Sequence, residues 1–178
     1  MNKTNIILLI ICSIIILALL LILLYRYYND KINELLKKIN KSEKQELNKL
    51  KEKQNILTRA INLIENKLDI KSKTFDNVRK LKIDSLTTFK DEEILNKCFD
   101  EILEIKEDNS KSKKLKTLDE IINNYYENEL HVISLRSYYN KYTMKYNCLI
   151  KKFPYNIIAK IKKYKLKLLL EGLEIEKE

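Results

Sequence analysis

Residues 6–24 read IILLIICSIIILALLLILL, an apolar run free of charge whose least oily members are Cys12, Ser13 and Ala18. At about 1.5 Å of rise per residue, a helix of this length matches a hydrocarbon core of roughly 30 Å. A cleaved signal peptide carries a shorter apolar core, roughly 7–15 residues, before a small-residue cleavage site. Leu23-Leu24-Tyr25-Arg26 offers no such site, and Cys12 follows Ile10 and Ile11 where a lipoprotein signal has a small residue. We therefore read 6–24 as a retained transmembrane helix, preceded by a short extracytoplasmic segment, 1–5.

Lysine and arginine near the ends of a span set its orientation. Lys3 alone stands on one flank; Arg26, Lys31, Lys37, Lys38, Lys41 and Lys44 stand on the other. The basic side is expected to stay in the cytoplasm, which places the bulk of the chain at the inner face of the cell membrane with the N-terminus outside. Tyr25, Tyr27 and Tyr28 fall where amphipathic rings favour the headgroup layer.

The whole 178-residue chain has one glycine and one proline. Turns and hairpins rely on those residues, so the expected fold is all-α. The net charge of +10 accompanies abundant Lys, Asn and Ile, a mixture that coding-DNA bias produces as readily as selection for an acidic partner. Cys12, Cys98 and Cys148 are isolated; they have no metal-type spacing and suit a reducing compartment. Cys98 and Cys148 are expected to be buried, since unpaired cysteine behaves as a small hydrophobe.

Past the span, Ile32, Leu35, Leu36, Ile39, Leu47, Leu50, Leu57, Ile61, Ile64 and Leu68 recur at helical spacing, with a polar gap around 51–55. Phe75, Val78 and Leu81 keep the period, so one helix is expected from the membrane to about residue 81, with a break at Asp84-Ser85. A second helix should start at Asp91, a good N-cap followed by Glu92 and Glu93, and stop near Asp108-Asn109-Ser110. A third should run from about 112 to 152 with a heptad seam of Val132, Leu135, Tyr139, Tyr142, Tyr146, Leu149 and Phe153. Pro154 separates it from a fourth helix over 155–170; Gly172 marks the end, and 171–178 is a charged tail. Four helices with one apolar stripe each bury those stripes most economically in an up-and-down four-helix bundle over 25–170. A dimeric coiled coil, hence a homo-oligomer, is the competing architecture.

Two segments resemble the LemA family of membrane-anchored bacterial proteins. Leu57-Thr58-Arg59-Ala60-Ile61-Asn62-Leu63-Ile64-Glu65-Asn66-Lys67-Leu68 is similar to that family's L-x-R-R-x-D-L-I-P-N-L-V signature. Glu129, Arg136, Tyr139-Asn140, Tyr146-Asn147, Phe153-Pro154 and Ala159 resemble its E…R-x-x-Y-N…Y-N…F-P…A series, and Tyr28-Asn29 is similar to a further Y-N after the span. Ala60, Asn62 and Glu65 depart from the first signature, 106–117 lacks the family's Y-P…L…A stretch, and the glycine-aromatic pair after Ala159 is represented by Lys163-Tyr164. The resemblance implies a short outside N-terminus, one span and a cytoplasmic helical bundle. It supplies no established activity.

Arg136, Asn140, Thr143 and Asn147 form a polar stripe beside the tyrosine seam, and Arg59, Asn62 and Asn66 form one beside the first-helix seam. Either the two stripes meet and hydrogen-bond, fixing register, or both face solvent. Tyr139 and Tyr146 either fill the core or form, with the asparagines, a docking surface. From Leu130 to Leu170 there are ten basic residues and no acidic one, and Lys160, Lys163 and Lys167 share a helical face. That face is either solvated or an amphipathic contact for anionic lipid.

No Gly-rich phosphate loop, nucleophile elbow or metal-ligand set occurs, His131 is the single histidine, and Glu101, Glu104 and Glu107 lack a histidine partner. We expect no catalytic, cofactor-binding or metal site. The expected function is a non-catalytic scaffold, or protein-interaction module, with the lipid bilayer and an unidentified protein as partners. An electrostatic tether to anionic lipid is the alternative, with nucleic acid a weaker candidate ligand.

Overall fold

A computed structural model describes residues 3–84 and 89–170. Among these, every regular element is helical: α1 (Lys3–Leu68), α2 (Lys73–Lys80), α3 (Phe89–Asp108), a 3₁₀ turn (Ser112–Lys114), α4 (Lys116–Leu149) and α5 (Tyr155–Ile161). The apolar run forms the N-terminal part of α1. Its large side chains from Ile6 to Leu24 are all exposed, so no described part of the protein covers them. This is one helix long and apolar enough to cross a membrane, with a window of mean hydropathy 3.7.

The chain divides into two compact units, residues 1–40 with 139–178, and residues 41–138. The core of the first joins Ile32 and Ile39 to Tyr139, Tyr146, Ile150, Ile158 and Ala159. The core of the second gathers Leu50, Leu57, Ile61 and Ile64 from α1 with Phe75, Val78, Leu95, Ile102, Leu118 and Val132.

Five boundaries differ from the sequence reading. The first helix ends at Leu68, not near 81, because Asp69 takes a left-handed backbone (φ 56°), a conformation Asp tolerates better than most residues. The Ser72 hydroxyl then accepts the Thr74 amide and starts α2. Phe75 and Val78 thereby reach the core, and Gln54 of α1 donates to the terminal carbonyls of Val78 (2.8 Å) and Leu81 (2.9 Å). The second helix begins two residues early, at Phe89. The third starts at Lys116 and stops at Leu149, so Phe153, placed in its seam, lies beyond the helix and is 78% exposed. Cys148 is exposed as well, whereas Cys98 is buried, and burial pushes the Cys98 thiol up to about 12.

The fourth helix spans Tyr155–Ile161, not 155–170. Lys163 is left-handed (φ 54°), its amide donates to Lys160, and the Tyr164 amide donates to Ala159 at 2.9 Å. These two bonds define a Schellman stop, a position that favours glycine. Lysine there pays the steric cost of its Cβ, so Lys163→Gly is expected to stabilise the fold by roughly 1 kcal/mol, read as a rise in thermal midpoint. Gly172, Ser85 and the 171–178 tail lie outside the described residues.

Candidate functional site

In the first unit, residues 165–170 have no regular secondary structure and are held by α4. The Asn147 side-chain amide donates to the Lys167 carbonyl (2.8 Å) and accepts the Lys167 N–H (2.9 Å). Asn140 repeats this with Leu170, at 2.7 and 2.8 Å. The Tyr146 hydroxyl donates to the Lys165 carbonyl (3.0 Å) and the Tyr139 hydroxyl to the Leu168 carbonyl (3.1 Å). Both tyrosine rings are buried in the core of the unit, as core packing requires, and their hydroxyls reach the main chain of the segment. Thr143, between the two asparagines on the same stripe, is fully buried and its hydroxyl has no partner among the described residues.

Tyr164, where the segment leaves the α5 stop, donates to Asn33 (3.0 Å) and lies 3.5 Å from Asn29. Tyr28 meets Tyr155 edge-on, with centroids 4.9 Å apart. Thus Tyr28, Ala159, Tyr164 and the tyrosines of both Tyr-Asn pairs, noted above from the resemblance, share one core, with Asn29 beside Tyr164.

In the second unit the polar gap of α1 is not a gap. Glu46, Leu50, Lys53, Leu57, Ala60 and Ile64 follow one another at heptad spacing, and all are buried. The Lys53 amine donates to Asn96 (2.9 Å) and to the Glu129 carboxylate, and lies 5.0 Å from the Tyr125 ring centroid. The Tyr125 hydroxyl donates to the same Asn96 oxygen at 3.1 Å. Arg136 donates to Glu46 (3.1 Å) and to Glu92 (2.9 Å).

Glu46 and Lys53 are seven residues apart on α1, and Glu129 and Arg136 seven apart on antiparallel α4, with the charge order reversed between the pairs. A slip of one heptad would set Glu46 against Glu129, or Lys53 against Arg136. Buried pairs of this kind contribute little net stability and are best attested as register devices. Burial raises the Glu46 carboxyl pKa against the opposing pull of Arg136, and one of its oxygens has no partner among the described residues. Burial also works against the charge of Arg136, but Glu92 and Glu46 outweigh it and hold that pKa above its ordinary value.

Because the folded-state pKa of Glu46 exceeds the unfolded one, its ionisation costs stability. That cost is absent below the unfolded value and complete above the folded one. On lowering the pH through this window, wild type is expected to gain stability relative to Glu46→Gln, followed by urea melts at a series of pH values. A pH-independent difference between the two would contradict it.

The two polar stripes do not pair as expected, because each finds nearer partners. Arg136 takes Glu46 and Glu92, Asn140 and Asn147 take main chain, and Asn62 with Glu65 holds Arg79 at 2.9 and 2.6 Å. Arg59 and Asn66 are exposed; Arg59 lines a polar depression with Lys49, Glu52, Asn128 and His131. The common helical face for Lys160, Lys163 and Lys167 is also absent, because the helix stops before Lys163. Lys160 and Lys163 instead line one depression with Lys151 and Lys165, while Lys167 reaches Asn40 at 3.3 Å. Among the described residues no group of three His, Cys, Asp or Glu is placed to hold a metal.

The sequence signal for the Tyr-Asn cradle was the seven-residue repeat of the pair. Nothing local marked 165–170 as its occupant. Scans of protein-family models, of curated proteins and of solved structures return no match to this chain.

Proposed function

We propose that the chain is a single-pass membrane protein, N-terminus outside, whose LemA-like helical remainder works at the inner face as a non-catalytic interaction module. The observation that carries this is the uninterrupted apolar surface of Ile6–Leu24, which none of the described residues covers. An exposed apolar area of that extent needs a solvent other than water, and the arginine and lysine excess after it favours the cytoplasmic side.

The directions of the helices within the second unit support a helical bundle in this reading. Glu46 and Lys53 of α1 meet Arg136 and Glu129 of α4 in antiparallel sense, Glu92 and Asn96 of α3 lie along α1 in parallel sense, and α2 returns against α1 through Gln54 and Glu65.

The protein is expected to stay with the bilayer through an alkaline carbonate wash and to resist protease added to intact cells. Release by the wash, or digestion of the large part from outside, would overturn the reading.

The lysine depression favours a second reading, an electrostatic tether to anionic headgroups. Its mark is salt: binding of the purified protein to anionic vesicles should fall steeply as salt rises, whereas a packed protein interface should persist.

A further inference from the structure

We propose that the Tyr139-Asn140 and Tyr146-Asn147 pairs form a binding site for the main chain of an extended polypeptide, filled in cis by residues 165–170 and open to an extended segment of a partner protein once these leave.

The bonding pattern specifies the ligand. Six hydrogen bonds join the four side chains to the main chain of the segment. Each asparagine grips one residue as a neighbouring strand would, by accepting its N–H and donating to its carbonyl. The spacing is matched: seven residues of α-helix rise about 10.5 Å, and three residues of extended chain span about 10 Å. Three residues is also the repeat of a polyproline II chain, which returns the same face every third position. A helix carrying Tyr-Asn twice at a seven-residue interval therefore reads an antiparallel extended chain at a three-residue interval. The buried Thr143 hydroxyl, between the asparagines and without a partner among the described residues, adds a polar group to the same stripe.

Most of the occupant's side chains do not select it; the exceptions are Leu170, which packs against the core, and Lys167, whose amine reaches Asn40. Leu166, Leu168 and Leu169 are exposed, Leu168 by 85%. The partner is thus an unstructured segment with free N–H groups three residues apart, and proline at either position excludes it. This deepens the interaction-module reading and rests on it. Loss of peptide binding would leave membrane retention untouched, so the two can fail separately.

The test uses the full chain in detergent micelles. Lys167→Pro with Leu170→Pro removes both N–H donors and frees the cradle without touching it. A fluorescent peptide of sequence Lys-Leu-Lys-Leu-Leu-Leu is titrated and followed by anisotropy. The freed protein is expected to bind it at least tenfold more tightly than wild type, in which the tethered segment competes. N-methylation of the peptide at its third and sixth residues should weaken binding at least tenfold, and Asn140→Ala with Asn147→Ala in the freed protein should do the same. Replacing the peptide's second, fourth and fifth residues, the counterparts of exposed Leu166, Leu168 and Leu169, by serine should change binding only a few-fold. A helical, freed protein that binds no peptide, or binds the N-methylated peptide equally well, overturns the proposal. Leu170→Pro alone, which removes one donor, serves if the double variant fails to fold.

Discussion

Lys53→Glu is expected to unfold the second unit. The substitution sets a second carboxylate beside Glu129 at a position with no solvent exposure. Breaking a buried pair by losing one partner costs about 3–5 kcal/mol, and like charges at contact distance add repulsion of up to about 4 kcal/mol at an effective dielectric of 20. The sum approaches the whole stability of an ordinary domain. Circular dichroism of the purified protein should show a large loss of helix, or a urea midpoint near zero. Adding Glu129→Lys restores an opposite pair in the same register and should recover much of the loss, with a positive coupling in the double-mutant cycle. Absence of rescue would mean that Lys53 and Glu129 do not set the register of α1 against α4.

Arg136→Ala should be the next most damaging change, at about 3–5 kcal/mol, because it strands Glu46. Glu46 is 1% exposed and already has one oxygen without a partner among the described residues. Glu92 would lose its partner too, but at 15% side-chain exposure it retains some water. Combining Arg136→Met with Glu46→Leu should return the stability, since apolar replacement of a buried pair is often neutral or better. What the double variant should lose is discrimination between registers, read as broadened amide spectra. A fully stable Arg136→Ala single variant would contradict the burial of Glu46.

The helical class and the membrane-length apolar segment were legible from composition and from 6–24 alone. So were the seams: Ile32, Ile39, Leu57, Ile61, Ile64, Val132, Tyr139 and Tyr146 are all buried, because helical spacing of apolar residues reports which face leaves water. Lys53 misled, since a lysine in a heptad seam reads as an interruption and its acid is 76 residues away. The end of the last helix misled for a different reason. Lys163 does what glycine usually does, and Lys165 to Leu170 have good helix propensity, so no local stop was visible.

The sequence by itself determined that this chain is helical and carries one stretch better suited to lipid than to water, since both follow from local spacing and transfer free energy. Only the tertiary structure decided that Glu46 and Lys53 belong to a core, and that 165–170 lies extended in the grip of two Tyr-Asn pairs. The reason is the same in each case: a buried charge or an unpaired main-chain amide is tolerable only where a partner arrives from elsewhere in the chain, and such a partner is a property of three dimensions.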